Sequence, residues 1–317
     1  MDQLPPLGTG IFQVLQPTIK IYEPLILANA NTIRSVKKET FKYGPTDRHQ
    51  LDVYYAPKPS IKSGRKPVLV FFYGGGLMHG DKTLPAADGL VHPNIASFFA
   101  LKYGYTTIVS DYRLIKHGAK FPSGGEDVGM TVDWIVNNGV GQGPEPIDLF
   151  IMGNSAGGLH LSTFLLHSST KNIRSKVLCG GDVRLRNAVL LSVPFAFGNP
   201  DATRGETLKG YFGDIHANSP LGLLKTARQE SGIDILPHIQ LYTLNGTLDP
   251  DSEILGPREE FLQEWSKIED SNSRGTMKTG MMPGHNHISP VFSLGTAIEK
   301  EEAWGHQVGE FCEASRS

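Results

Sequence analysis

The chain has 317 residues, of which 39% are hydrophobic, and its 30 basic and 32 acidic residues give a formal net charge of −2. Such a near balance excludes the strongly basic surface that binds nucleic acid or an anionic membrane. A small, roughly neutral molecule is the partner that this composition favours, and the chain is long enough for one large α/β domain or for two ordinary ones.

Signals for export and for membrane insertion are missing from the sequence. No apolar run approaches the ~18 residues that a membrane span requires, and the start of the chain has no basic region before an apolar core. Cys179 and Cys312 are too few for a disulfide framework. We therefore predict a cytoplasmic protein with no membrane span. Since its 36 glycines and 21 prolines form no linker, a single domain over residues 1–317 is the simpler interpretation; the oligomeric state stays open, with a homodimer among the alternatives.

Short β-rich runs alternate along the chain with longer segments of helical period. The strands are predicted at residues 51–55, 67–73, 105–110, 147–152, 188–193, 239–245 and 276–282, and the helices at residues 94–102, 126–137, 156–167, 257–267 and 293–313. Residues 68–72 are apolar throughout, as expected of a strand that is buried on both faces. The alternation predicts an α/β fold with a mostly parallel central sheet and helices on both of its faces.

Two segments, residues 1–38 and 195–237, do not fit this alternation. The second is long for a connection inside a compact domain. Segments of this size are usually lids, caps or binding loops, so we expect both to fold as cap elements over the active-site end of the sheet.

The segment 153–157 reads Gly-Asn-Ser-Ala-Gly and places Ser155 between two glycines. Gly-x-Ser-x-Gly alone is a weak signal, but here a predicted buried strand ends just before it and a predicted helix begins just after the serine. In such a corner the serine lies at a helix N-terminus, where the helix dipole and free N–H groups favour a developing oxyanion. We therefore predict Ser155 as a catalytic nucleophile, the alternative being a serine that only caps the helix.

Three consecutive glycines, residues 74–76, directly follow the predicted strand 67–73. A turn of this composition can aim backbone N–H groups at one point. We expect it to form an oxyanion hole together with the N–H of Ala156, the residue after the nucleophile, rather than a merely flexible loop.

A hydrolytic serine needs a base and a carboxylate that orients the base, in the chain order serine, acid, histidine. Asp249 follows the predicted strand 239–245 at its carboxyl end, where open α/β sheets build their sites, and is the preferred acid; Asp251 is the second choice. His285 and His287 follow the last predicted strand. Residues two apart in an extended segment point to the same side, so spacing does not separate the two histidines.

Taken together, these motifs resemble those of the hormone-sensitive-lipase-like esterases, which have the α/β-hydrolase fold. The resemblance covers about residues 51–289 and consists of Tyr-Gly-Gly-Gly (73–76), Asp-Tyr-Arg-Leu (111–114), Phe-Pro (121–122), Glu-Asp (126–127), Gly-Asn-Ser-Ala-Gly-Gly (153–158), Gly-x-x-Asp-Pro (246–250) and Gly-x-x-His (284–287). It implies a carboxylic-ester hydrolase with a helical cap built from the N-terminus and an insertion. It also implies that Gly75 and Gly76 donate to the oxyanion and that His287 is the base.

The chain departs from that family pattern at three places. Tyr73 stands where a histidine usually precedes the glycines, Asn154 stands where an acid is usual, and Ile-Lys-His at residues 115–117 replaces Ala-Pro-Glu. Tyr-Gly-Gly-Gly is more similar to the cholinesterase-type carboxylesterases, whose chains are longer. These departures concern the anchoring of loops and the preference for substrates rather than the triad.

The sequence thus predicts a serine hydrolase that cleaves a small-molecule carboxylic ester through an acyl-enzyme, without a metal or a cofactor. The predicted catalytic residues are Ser155, Asp249 and His287, and the predicted oxyanion hole is Gly75, Gly76 and Ala156. Amide or formamide hydrolysis, which uses the same groups, is one alternative. A non-hydrolytic lyase, cyclase or receptor on the same scaffold is another.

Overall fold

A computed structural model describes residues 1–141, 143–198, 200, 202–230, 234–235, 238–269 and 277–316. The strands are β1 (Lys38–Lys42), β2 (Gln50–Tyr54), β3 (Lys66–Phe72), β4 (Thr106–Ser110), β5 (Ile147–Asn154), β6 (Val183–Leu191), β7 (Gln240–Leu248) and β8 (Met277–Asn286). They form a single sheet in the order β1-β2-β4-β3-β5-β6-β7-β8. The β1–β2 and β2–β4 pairs are antiparallel and all other pairs are parallel, which confirms the predicted mostly parallel sheet.

Helices cover both faces of this sheet. They are α1 (Ile11–Ala28), α2 (Ala30–Arg34), α3 (Ala86–Gly89), α4 (Pro93–Lys102), α5 (Ser123–Asn138), α6 (Ala156–Leu166), α7 (Lys171–Leu178), α8 (Ala202–Phe212), α9 (Ile215–Asn218), α10 (Pro220–Glu230), α11 (Gly256–Glu269), α12 (Ser289–Ser293) and α13 (Glu299–Ala314). Helices α4 and α13 pack on one another and on the sheet, while α5, α6 and α7 form a second group against it. Strands between two such layers must be apolar on both sides.

The central strands β3 and β5 show this requirement directly, since every residue of both is buried. They pair in parallel, and their register places Phe72 opposite Gly153. Because the two strands end level with one another, Tyr73 and the glycines that follow it leave the sheet beside the turn that carries Ser155.

Several elements differ from the sequence prediction: helices α3 and α7 were not predicted, and β8 extends to Asn286 instead of ending at residue 282. Strand β1 was not predicted, because its residues alternate between exposed and half-buried and two of its five residues, Lys38 and Lys42, are lysines, as is typical of a sheet edge. The single helix predicted over residues 293–313 is instead the pair α12 and α13. Gly295, with φ of +73°, breaks the helical path between them.

Both segments that did not fit the alternation contain helices. In α1 the buried residues Val14, Thr18, Tyr22 and Ile26 recur at every fourth position, which makes one stripe along the helix. This helix packs against α12 and α3, whereas α10 in the second segment packs against α6 and α11. Residues 199, 201, 231–233 and 236–237 of the predicted insertion, and residue 276 of the last predicted strand, lie outside the described residues.

Among the helices that the structure describes, none combines the length and the apolar character needed to cross a bilayer.

Candidate active site

Polar groups converge at the carboxyl ends of five neighbouring strands. The tri-glycine loop follows β3, Ser155 follows β5, Ser192 follows β6, Asp249 follows β7 and His287 follows β8. The carboxyl ends of parallel strands meet at one edge of a sheet, which is where open α/β sheets build their sites. The order β3-β5-β6-β7-β8 therefore brings residues that are far apart in sequence to one place.

Ser155 occupies a strained corner between β5 and α6. Its backbone has φ of +49° and ψ of −116°, a conformation that a non-glycine residue rarely adopts. Its N–H donates to the carbonyl of Leu191 at 2.9 Å, which fixes the corner to β6.

The two glycines that flank the corner are required by close backbone approaches. A Cβ on Gly157 would overlap the carbonyl oxygen of Phe72, and one on Gly153 would lie 2.6 Å from the carbonyl oxygen of Gly157. A side chain at either position would push α6 away from β3 or β5. The local pattern around Ser155 is thus a packing requirement of the strand-turn-helix unit.

Ser155, His287 and Asp249 form an unbroken chain of hydrogen bonds. His287 Nε2 lies 3.0 Å from Ser155 Oγ, and His287 Nδ1 lies 2.8 Å from Asp249 Oδ1. A carboxylate only accepts hydrogen bonds, so Nδ1 carries the proton in this arrangement and Nε2 of the neutral ring presents its lone pair to the serine. The arrangement can accept a proton from Ser155 Oγ and stabilise the imidazolium that results.

The second oxygen of Asp249 is held by two further donors. Ser192 Oγ donates to Asp249 Oδ2 at 2.7 Å, and the N–H of Gly246 donates to the same oxygen at 2.8 Å. The carboxylate is buried, so these donors both satisfy it and fix its plane relative to the imidazole. Sequence reasoning missed Ser192. Its position at the carboxyl end of a buried strand next to the acid strand is the signal that could have identified it.

The structure separates the two histidines and the two acids that the sequence offered. His285 Nδ1 contacts Ser289 Oγ at 2.9 Å, and its Nε2 is buried without a partner among the described residues. Burial lowers the pKa of His285 to about 4. Asp251 is exposed at the start of a π-helical turn, Asp251–Leu255. Neither side chain takes part in the hydrogen-bond chain from Ser155.

The tri-glycine loop passes next to the serine. A Cβ on Gly74 would lie 3.1 Å from the Cβ of Ser155. Gly75 and Gly76 have φ of +142° and +63°, and a side chain on Gly75 would overlap the carbonyl oxygen of His79. Within the described part of the chain, the N–H groups of Gly75 and Gly76 donate to no other group. They are therefore free to donate to a ligand beside Ser155.

The first N–H groups of α6 add to these donors. Ala156 is the first residue of that helix and is buried directly behind the serine. The first N–H groups of a helix have no partner inside it and lie at the positive end of its dipole. The site can thus present backbone donors from both sides of Ser155 to a negatively charged oxygen.

Two of the three departures from the family pattern have local explanations. Asn154 is buried and donates to the carbonyl of Leu191 at 3.3 Å, so an amide satisfies this position without a charge. Residues Ile115–His117 form a 3₁₀ turn whose first N–H donates to the carbonyl of Leu77 at 3.0 Å. This turn therefore supports the loop that contains the three glycines.

Both segments predicted as cap elements contact loops of the site. Asn286, next to His287, donates to Thr18 Oγ1 of α1 at 2.9 Å. Arg204 of α8 lies 3.4 Å from the carbonyl oxygen of Gly76. The first segment thus contacts the loop with the histidines, and the second contacts the tri-glycine loop.

A cavity of about 660 Å³ lies between the second segment and the loop after Asp249. Phe197 and Leu221 line it on the side of the second segment, and Asp251 and Pro257 line it on the opposite side. None of the triad residues Ser155, Asp249 and His287 lines this cavity, and neither do the three glycines, so it lies beside the predicted site rather than at the reacting groups.

Comparison with known proteins places this geometry in context. Residues 51–183 match the BD-FAE protein family. Liver carboxylesterase 1 of Oryctolagus cuniculus is 31% identical over 43% of this chain and 24% of its own length. A probable isoprenylcysteine alpha-carbonyl methylesterase of Oryza sativa subsp. japonica is 27% identical over 65% of this chain and 48% of its own length. The chain thus spans about a quarter of the first relative and about a half of the second, and the expected resemblance to carboxylesterases is confirmed.

Solved structures show the same architecture over almost the whole chain. Esterase B of Lactobacillus rhamnosus superposes with a TM-score of 0.63 at 15% identity and covers 95% of this chain and 96% of its own. Together with the strand order, this likeness confirms the predicted α/β-hydrolase fold.

Proposed function

We propose that this protein is a serine hydrolase that cleaves a small-molecule carboxylic ester through an acyl-enzyme intermediate. The observation that carries the proposal is the hydrogen-bond chain from Ser155 Oγ through His287 to the buried Asp249 carboxylate. In this proposal Ser155 is the nucleophile, His287 the base and then the acid, and Asp249 the group that orients the imidazole.

Acylation begins when Ser155 Oγ attacks the acyl carbon and its proton passes to His287 Nε2. The carbonyl electron pair moves to the oxygen, which becomes an oxyanion beside the N–H groups of Gly75, Gly76 and Ala156. When the tetrahedral intermediate collapses, the bond to the alcohol oxygen breaks and His287 returns the proton to the departing alcohol. The acyl group is then bound to Ser155.

Deacylation repeats these steps with water as the nucleophile. Water attacks the acyl carbon and gives a proton to His287, and the oxyanion forms in the same place. Collapse breaks the bond to Ser155 Oγ, which takes the proton back, and the carboxylic acid leaves. Because the donors are backbone groups fixed before the reaction, they stabilise the charge without reorganising.

The similarity to proteins named carboxylesterase and methylesterase supports an ester rather than an amide as the bond that is cleaved. We further propose that residues 1–38 and 195–237 act as a cap that decides which esters enter. Their contacts with Asn286 and Gly76, next to the reacting groups, support this role.

The proposal is tested with a fluorophosphonate probe and a panel of p-nitrophenyl esters of increasing chain length. Wild-type protein should be labelled rapidly on Ser155 and should turn over the short esters. Ser155→Ala should lose labelling and should lose turnover by several orders of magnitude, since binding and the oxyanion donors alone give only ~10³–10⁴ over water.

Ser162→Ala is the matched control, because Ser162 is buried on α6, the helix that begins just after Ser155, and its hydroxyl donates to the carbonyl of Gly158. It should keep both labelling and turnover. Near wild-type turnover in a folded Ser155→Ala protein would contradict the proposal, and turnover of matched anilides but not of esters would transfer it to amide hydrolysis.

A further inference from the structure

The loop that contains the three glycines, residues 73–82, is bound by Arg48, which lies in the connection between β1 and β2. Arg48 Nη2 donates to the carbonyl oxygen of Gly80 at 2.7 Å, and Nη1 donates to Asp81 Oδ2 at 2.7 Å. Its Nε donates to the carbonyl oxygen of Tyr112 at 3.0 Å. The Arg48 side chain is only 13% exposed, so these bonds are largely shielded from water.

The same guanidinium reaches the residue that precedes the glycines. Arg48 Nη2 donates to the hydroxyl of Tyr73, and this hydroxyl donates to Asp111 Oδ1. The Tyr73 ring is fully buried and stacks on the ring of His92 at 5.0 Å between centroids. Tyr112 fixes the backbone here, because its hydroxyl donates to the carbonyl oxygen of Tyr73 at 2.8 Å.

Asp111 contacts the last residue of the loop, Lys82. Its Oδ1 accepts from the N–H of Lys82 at 2.7 Å and lies 3.2 Å from Arg48 Nη2. Arg48 and Asp111 therefore contact residue 73 on one side of the glycines and residues 80–82 on the other. Both ends of the loop 73–82 therefore contact the ion pair of Arg48 and Asp111.

We infer that Arg48 is a positioning residue that fixes the tri-glycine loop for oxyanion binding by joining Tyr73 to Gly80 and Asp81. The inference rests on the proposed function, in which Gly75 and Gly76 donate to the oxyanion. Three consecutive glycines have little conformational preference of their own, so contacts with other parts of the chain must fix the conformation of the loop. Oxyanion donors act only when they are fixed in advance, and a displacement of about 1 Å can cost about 10²-fold in rate.

A lysine cannot make the same set of contacts. The four acceptors lie in different directions around Arg48, and the planar guanidinium has five N–H donors arranged to reach them. A lysine keeps the positive charge beside Asp81 and Asp111 but offers three donors from a single nitrogen. Arg48→Lys therefore separates the geometry of the contacts from the charge.

The test compares Arg48→Lys and Tyr73→Phe with the control Arg65→Lys, in the full-length protein. Arg65 is similarly shielded, at 17% exposed, and donates to Asp148 Oδ1 at 2.8 Å and to the carbonyl of Ile147 at 2.6 Å. These contacts lie at the start of β5, at the opposite edge of the sheet from Ser155. The control thus removes an equivalent buried arginine network away from the site.

Steady-state turnover of p-nitrophenyl acetate, the rate of fluorophosphonate labelling and the melting temperature are measured for each variant. We expect Arg48→Lys to lower kcat by about 10²-fold and the labelling rate by a similar factor, with KM changed by no more than about threefold. Tyr73→Phe, which removes only the hydroxyl, should lower kcat by about tenfold. Arg65→Lys should lower the melting temperature as much as Arg48→Lys does, but should keep kcat within about twofold.

Unchanged kcat in folded Arg48→Lys and Tyr73→Phe proteins, with Ser155→Ala inactive, would overturn this inference and leave the proposed function intact. So would an equal loss of kcat in the Arg65→Lys control, because the effect would then be one of general stability. If Arg48→Lys does not fold, Tyr73→Phe decides the matter alone. Turnover that survives in Ser155→Ala would instead overturn the proposed function itself.

Discussion

At the scale of single residues, the hydrogen bonds to the Asp249 carboxylate determine the orientation of the His287 ring. Three donors, from His287, Ser192 and Gly246, fill both carboxylate oxygens, so the carboxylate has one orientation and the imidazole follows it. The ring of His285, two residues earlier, turns toward Ser289. Neighbouring residues of one chemical type thus occupy different environments.

This difference predicts unequal effects of the two histidines. His287→Ala should lose kcat/KM for a p-nitrophenyl ester nearly as severely as Ser155→Ala, and the double variant should lose little more, because triad members act as one unit. His285→Ala should retain most of the rate, since its ring reaches neither Ser155 nor Asp249. Kinetics of the four purified variants check this, and the reverse pattern would make His285 the base.

Ser192 gives a second prediction at this scale. Ser192→Ala removes one of the donors to Asp249 Oδ2 and leaves the N–H of Gly246 in place. One hydrogen bond to a charged group contributes about 1.5–3 kcal/mol, so we expect kcat/KM to fall by roughly ten- to a hundredfold. The measurement is kcat/KM for p-nitrophenyl acetate. An unchanged value would mean that Gly246 and His287 orient the carboxylate without Ser192.

At the scale of elements, the pairing of β7 with β8 brings the acid and the base together. The register of this pair shifts between Gly246 and Leu248, and Leu248 then faces Asn286. Asp249 and His287 each follow directly after these paired residues. The irregularity is possible because Gly246 approaches the backbone closely, and a Cβ there would overlap the carbonyl oxygen of His285.

Tyr211 connects helix α8 of the second predicted cap segment to α5 and α6. The N–H of Gly124 donates to its hydroxyl at 3.2 Å, and this hydroxyl lies 3.3 Å from His160 Nδ1. Its carbonyl oxygen accepts from the N–H of Phe121 at 2.8 Å. Tyr211 is 2% exposed, so its hydroxyl is a buried connection between the predicted cap and α5 and α6.

Tyr211→Phe should therefore loosen this segment. Leaving the Gly124 N–H and the His160 ring without the hydroxyl should lower the free energy of unfolding by about 1–3 kcal/mol. If the segment controls entry, the ratio of kcat/KM for long over short p-nitrophenyl esters should change more than kcat/KM for the acetate. Denaturant unfolding and the ester panel measure the two effects.

Tyr103→Phe is the control for this prediction, because the Tyr103 hydroxyl also contacts a histidine, His306, at 2.8 Å, but between α4 and α13. It should leave the ratio of long to short esters unchanged. An equal change of the ratio in both variants would argue against a role of α8 in substrate selection.

At the scale of the whole molecule, stability should depend on pH through buried histidines. Burial lowers the pKa of His92, His160 and His285 to about 4 each. Unfolding returns each ring to an ordinary pKa near 6.5, so the unfolded chain binds more protons between about pH 4 and 6.5. The free energy of unfolding must then fall as the pH is lowered through this window, by on the order of 3 kcal/mol per histidine.

One carboxyl group acts in the opposite direction. Burial raises the pKa of Asp111 to about 6, although Arg48 opposes the shift. The folded protein then binds the extra proton between about pH 4 and 6, which adds stability on acidification. Three histidines outweigh this single group, so the net change is a loss. Urea unfolding at pH 7, 5.5 and 4.5 measures it, and His160→Gln should reduce the slope; rising stability on acidification would contradict the prediction.

The sequence by itself determined the features that depend on local order along the chain. The buried strands β3 and β5 follow from continuous apolar runs, and the corner at Ser155 follows from the Gly-x-Ser-x-Gly pattern between a predicted strand and a predicted helix. The order of serine, acid and histidine, each after a predicted strand, was also readable, since parallel strands end at one edge. These features need no knowledge of which strands are neighbours.

Only the tertiary structure decided which side chains meet. A period of two places His285 and His287 on the same side, so their separation depends on the shifted register of β7 and β8 and on contacts with Asp249 and Ser289. Spacing along the chain does not identify the partners of Ser192 and Arg48, because those partners lie 57 and 25 or more residues away. Such contacts exist only once the sheet has brought distant strand ends and loops together, and sequence spacing carries no information about them.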